Sequence, residues 1–122
     1  MARVLLIDDD EMVLYALSKA LTRAGHEVET AANGGGAKVQ TALKWADVLV
    51  TDIIMPEKEG LSVLMEAQQL RSDLPVIVIS GGSRAYGVDY LDAANALGAA
   101  AVFTKPVDDR ELSAKIAELC AG

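Results

Sequence analysis

Apolar positions follow two alternating rhythms along this chain. Short unbroken runs, Val4-Leu5-Leu6-Ile7, Val48-Leu49-Val50, Val76-Ile77-Val78-Ile79 and Ala100 to Thr104, are rich in β-branched residues, alanine and leucine. Continuous apolar runs of this length suit strands buried on both faces, as in a parallel sheet. His26 to Ala31 alternates instead, which suits a half-covered strand at the sheet's periphery. Between these runs the spacing becomes helical. Residues 11 to 24 align Val13, Leu14, Leu17, Ala20, Leu21 and Ala24, and Gly25 follows as a stop. Residues 35 to 45 bring Val39, Ala42 and Leu43 together, and residues 60 to 71 carry Leu61, Leu64 and Met65. Residues 89 to 97 carry Tyr90, Ala93, Ala94 and Leu97, between Asp89 as N-cap and Gly98 as stop. The last helix opens with a capping-box spacing, Asp108 and Glu111, and continues with Leu112, Ile116 and Leu119.

Strand and helix thus alternate through the chain. Right-handed crossovers then produce an α/β architecture, an open parallel sheet with helices on both faces. Gly34-Gly35-Gly36 departs from helix chemistry and predicts a loose start to the second helix. It lacks the spacings of a phosphate-cradling glycine loop.

Composition narrows the function. The 122 residues make one domain, and 52% apolar residues suffice for a core. Eighteen acidic residues against 11 basic ones leave a formal charge of −7, which disfavours nucleic acid and anionic membrane surfaces. The longest apolar runs, about five residues, are far short of a membrane span. No leader pattern precedes the first strand, and Cys120 is the only cysteine, so a cytoplasmic protein without disulfides is expected. One histidine and one cysteine exclude an ordinary zinc site.

The chemistry gathers where open α/β sheets bind ligands, beyond the carboxyl ends of the strands. The first strand leads into Asp8-Asp9-Asp10-Glu11, the third into Thr51-Asp52, the fourth into Ser80-Gly81-Gly82-Ser83 and the fifth into Thr104-Lys105-Pro106. The first cluster alone could simply be a solvated helix N-terminus. Asp52, directly after a buried-type run, and Lys105 on a third strand argue for one convergent site. Crowded carboxylates call for a cation, and a hard divalent ion with oxygen ligands fits them. Hydroxyl, lysine and metal together make a phosphoryl-binding set.

These residues, in this order, resemble the receiver domain of two-component response regulators, of the chemotaxis-regulator-like kind. The resemblance is carried by Val4 to Asp10, Val50-Thr51-Asp52-Ile53-Ile54-Met55-Pro56, Gly60-Leu61, Pro75 to Gly81, Gly98-Ala99 and Lys105-Pro106. It implies a flavodoxin-like sheet of strand order 2-1-3-4-5 and a receiver spanning residues 1–122 with no output domain. By position it implies Asp52 as phosphoacceptor. It implies Mg²⁺ held by Asp9, Asp52 and the backbone carbonyl of Ile54, with Asp8 acting through metal-bound water. Ser80 and Lys105 would bind the phosphoryl group, and the Lys105–Pro106 bond becomes a cis candidate. The implied donor is a histidine kinase or a histidine phosphotransfer protein. The domain would be a switch for protein partners rather than an enzyme turning over an external substrate.

The chain also departs from the family pattern. The switch aromatic three positions before the lysine is replaced by Val102, and Phe103 should face the other side of the strand. The stretch from Ser80 to Lys105 is a few residues longer than usual, within Gly81 to Val88, where Tyr86 and Tyr90 can substitute for the aromatic in a rebuilt output surface. The alternative function is a receiver-like interaction module that works unphosphorylated. An aspartate-nucleophile phosphatase would need a second Asp where Ile54 stands. His26 reads as a surface histidine on the opposite rim, Trp45 and Met65 as packing residues, and Cys120 as an incidental thiol.

Overall fold

A computed structural model describes residues 2–33, 35–52, 60–80 and 98–120. Its strands are β1 (Arg3–Ile7), β2 (Glu27–Ala31), β3 (Val48–Asp52), β4 (Val76–Ser80) and β5 (Ala101–Thr104). The helices among these residues are α1 (Glu11–Arg23), α2 (Ala37–Trp45), α3 (Gly60–Leu70) and α4 (Asp109–Leu119). The fourth predicted helix, residues 89 to 97, and the Tyr86, Tyr90 and Ile54 assignments lie outside the described residues.

The sheet runs β2-β1-β3-β4-β5 with every neighbouring pair parallel. This is the doubly wound, flavodoxin-like order. The alternating strand, β2, occupies an edge, as its pattern predicts. Every residue of β3 and β4 is buried, which is why their sequences are apolar without a break.

Strand alternation divides the interior into two cores. Leu5, Ile7, Leu49, Val76 and Val78 face α2 and α3 and pack with Val39, Leu43, Val63, Leu64 and Ala67. Val4, Leu6, Val48, Val50, Ile77 and Ile79 face the other way and pack with Leu17, Leu21, Leu112 and Ile116 of α1 and α4. Burying one Leu or Ile side chain of this kind contributes about 1.5–3 kcal/mol.

Local chemistry sets the helix ends. Asp10 caps α1, its carboxylate accepting from the Met12 and Val13 amides, and Asp108 caps α4 through the Arg110 and Glu111 amides. Gly25, at φ 97°, turns the chain just after α1. The glycine triplet delays α2 further than its periodicity suggests. The helix starts at Ala37, and Gly36 holds the N-cap at φ 97° with no side chain to cap it.

Two packing expectations need correction. Met65 is 50% exposed, because α3 turns Val63, Leu64 and Ala67 inward instead. His26 is buried, 6% exposed, rather than on the surface. It sits at the amino ends of the strands, as expected, but α4 and the start of β1 cover it. Its Nδ1 accepts the Ala2 amide proton at 3.1 Å, and its Nε2 lies 3.3 Å from the Ser113 hydroxyl. Trp45 is half-buried against the α2–α3 core, with the Arg3 guanidinium 5.9 Å from its ring centroid.

Candidate functional site

The carboxyl ends of β1, β3, β4 and β5 converge on one rim because the sheet is parallel and its crossovers return each strand in the same direction. The acidic run after β1 divides into separate roles there. Asp10 and Glu11 belong to the helix start, one as cap and the other as a first-turn acid. Asp8 turns inward and is 1% exposed, while Asp9 remains exposed. The Asp8 amide donates to the Ala31 carbonyl at 3.1 Å, which ties this turn to β2. The Asp8 Oδ1 accepts the Asp10 amide proton at 2.9 Å, which fixes the orientation of the carboxylate.

Asp52 is the last residue of β3 and is 6% exposed. Carboxylate oxygens of Asp8, Asp9 and Asp52 all lie within 4.8 Å of one another. Lys105 reaches over them from the end of β5. Its Nζ is 3.1 Å from Asp8 Oδ2 and 3.2 Å from Asp52 Oδ2. The contact with Asp52 is a hydrogen bond. Asp8 Oδ2 meets the ammonium as an ion pair and has no hydrogen-bond partner among the described residues. Partial burial disfavours the charged amine of Lys105, but the Asp8 and Asp52 carboxylates outweigh this and hold its pKa above the usual lysine value. The Lys105–Pro106 bond is cis.

Ser80 ends β4 and is 1% exposed. Its carbonyl accepts the Lys105 amide at 2.9 Å, which ties the lysine's backbone to the end of β4, and the register pairs Ser80 with Thr104. The Ser80 Oγ has no hydrogen-bond partner among the described residues. A buried hydroxyl without a partner is costly and calls for a ligand atom.

Asp8, Asp9, Asp52, Ser80 and Lys105 therefore stand on one rim, whereas Ile54, Tyr86 and Tyr90 lie outside the described residues. Val102 packs toward the α2–α3 core and Phe103 toward the α1–α4 core, on opposite faces of β5. An apolar groove of about 430 Å³ opens beside Lys105, lined by Val13, Ala16, Leu17, Pro106 and Val107. Sequence reasoning missed the capping role of Asp10, although an Asp directly before a helical stripe is its usual signal. It also missed the Asp47 carboxylate, which accepts the Arg3 amide at 2.9 Å at the other end of the sheet. No sequence pattern points to that contact. Cys120 is a free, partly buried thiol. Burial raises its thiol pKa, helped by the charge of Asp47, and so keeps it protonated.

Three carboxylates facing one ammonium can hold a hard cation, and a hydroxyl and an amine beside them can hold an anion next to it. Comparison with known proteins shows the family. The model of the response regulator receiver domain matches residues 4–117. The chain is 34% identical to the DNA-binding transcriptional regulator NtrC of Azospirillum brasilense, over 91% of this chain and 22% of that protein's length. It is 32% identical to protein PilH of Pseudomonas aeruginosa, with 100% of both chains covered. Among solved structures it is similar to a CheY-like response regulator receiver domain protein of Methanospirillum hungatei, at 29% identity and a TM-score of 0.87, covering 99% of this chain and 94% of that one. Fold, rim and family model agree, and the chain belongs to the response regulator receiver domain family of two-component signalling.

Proposed function

We propose that this receiver is a phosphoacceptor switch in which Asp52 takes a phosphoryl group from a phosphohistidine. A histidine kinase is the general partner of a response regulator receiver. The donor assigned here is such a kinase or a histidine phosphotransfer protein. The observation that carries the reading is the rim itself. Lys105 bridges the buried Asp8 and Asp52 carboxylates, and the buried Ser80 hydroxyl at the end of β4 has no partner among the described residues.

An Asp52 carboxylate oxygen attacks phosphorus in line. The phosphorus–nitrogen bond to the donor imidazole breaks, and that nitrogen keeps the bonding electron pair. The product is an acyl phosphate on Asp52, which water later hydrolyses. A carboxylate is a weak nucleophile, so positioning and charge neutralisation supply the acceleration. Lys105 is already placed to pair with an incoming phosphoryl oxygen, and the Ser80 Oγ can donate to another. The groove beside Lys105 offers the donor protein an apolar surface next to the reacting carboxylate.

The donor set fits Mg²⁺, since it gathers hard carboxylate oxygens within 4.8 Å of one another, two of them on buried residues. Asp9, Asp52 and the Ile54 carbonyl would hold it, with Asp8 acting through water. The ion would offset repulsion between the anionic nucleophile and the anionic phosphoryl group. On this reading the domain is a signalling switch rather than a turnover enzyme. No helix among the described residues is long and apolar enough to cross a membrane. The rebuilt output surface around Tyr86 and Tyr90 belongs to the same proposal, since Val102 supplies no aromatic ring and Phe103 packs on the other face.

Incubation with Mg²⁺ and acetyl phosphate or beryllofluoride, followed by intact-mass or fluorescence measurement, tests the assignment. One adduct on the wild type and none on Asp52→Ala is the expected result. No adduct on the wild type, or an undiminished one on Asp52→Ala, sinks it and favours a module that works unphosphorylated.

A further inference from the structure

At the rim opposite the carboxylates, His26 joins α1, the starts of β1 and β2, and α4. It directly precedes β2, and its own amide donates to the Leu21 carbonyl at the end of α1. Its Nδ1 accepts the Ala2 amide at 3.1 Å, just before β1. Its Nε2 faces the Ser113 hydroxyl of α4 at 3.3 Å. An amide nitrogen can only donate, so Nδ1 must carry a lone pair. The proton of the neutral ring then lies on Nε2 and points to Ser113.

We infer that His26 is an acid-sensitive latch, holding the chain that enters β1 to the start of β2 while neutral and releasing it when protonated. A proton on Nδ1 would set two donors against each other across a 3.1 Å contact in a buried setting. The ring must then leave the Ala2 amide, whereas its Nε2–H can keep its contact with Ser113. Among the described residues no ion pair reaches the ring. The charged residues closest to it along the packed elements are Glu27 and Arg3 on the paired strands, Arg23 at the end of α1, and Asp109 and Arg110 one turn before Ser113 on α4. All five side chains are exposed to solvent. Burial lowers the His26 pKa, and the positive amino terminus acts in the same direction. The latch therefore opens only below the usual histidine range.

His26 is the one histidine of the chain, so its imidazole resonances are unambiguous. An NMR titration of the intact wild-type chain from about pH 8 to about pH 5 should give an imidazole midpoint below 6.5, and the Ala2 and Arg3 amides should shift with that same midpoint. The thermal midpoint of the wild type should fall by several degrees over this range relative to His26→Gln, which hydrogen-bonds without titrating. A midpoint at or above 6.5, or Ala2 and Arg3 amides that do not follow the imidazole, overturns the latch. The wild-type titration decides the matter by itself should the glutamine variant not fold.

Discussion

Asp9 is the exposed member of the carboxylate cluster, which makes Asp9→Asn a clean perturbation. Asparagine keeps the shape and removes one charge. With carboxylate oxygens within 4.8 Å of one another, each like-charge pair repels by at least about 0.9 kcal/mol in water and about 3.5 kcal/mol at an effective dielectric of 20. Asp9 faces two such neighbours but sits on the solvent side, and the Lys105 ammonium offsets part of the repulsion. The net relief should be about 1 kcal/mol in metal-free, low-salt buffer. For a domain of this size that raises the thermal midpoint by about 4 °C. Magnesium should reverse the order. An ion bound by the folded state alone at ten times its dissociation constant stabilises the wild type by about 1.4 kcal/mol, and the variant with one charged ligand fewer gains less. Differential scanning calorimetry with EDTA and then with Mg²⁺ measures both effects. A variant no more stable than the wild type without metal, yet equally stabilised by Mg²⁺, would refute the claim that Asp9 belongs to a strained cation site.

Lys105→Met should destabilise the domain by about 2–3 kcal/mol at neutral pH, because it leaves Asp8 and Asp52 facing each other without their counter-charge. The lower end of the usual range applies because the Lys105 side chain is 25% exposed. Since the folded state holds the lysine pKa above its unfolded value of 10.5, the ion pairs contribute fully below that pH and are lost above it as the amine deprotonates. Urea melts of wild type and variant should therefore differ at neutral pH and converge in strong alkali. Asp10→Ala should cost about 1 kcal/mol through loss of the α1 cap, while adduct formation at Asp52 stays intact. Equal loss of stability and adduct would mean that Asp10 serves the site and not only the helix.

Much of this receiver was readable from one-dimensional pattern. The unbroken apolar runs specify doubly buried strands, and the alternation of His26 to Ala31 specifies an edge strand. Together with helical spacing they lead to the parallel, doubly wound sheet. A parallel sheet sends all its strand ends to one rim. The position of Asp8, Asp9, Asp52, Ser80 and Lys105 at the strand ends therefore already implied that they meet. Tertiary structure decided what each of them does there. Adjacent acids look alike in sequence, yet the turn after β1 buries Asp8, leaves Asp9 in solvent and assigns Asp10 to the helix cap. The β4–β5 pairing sets Thr104 opposite Ser80 and bonds the Lys105 amide to the Ser80 carbonyl, a cross-strand relation that spacing along the chain does not encode. His26 illustrates the same limit, since its burial comes from Ala2 and from Ser113 on the far-off last helix. Local periodicity reports which face of an element is apolar, whereas the burial of a polar side chain depends on partners that only the folded chain brings together.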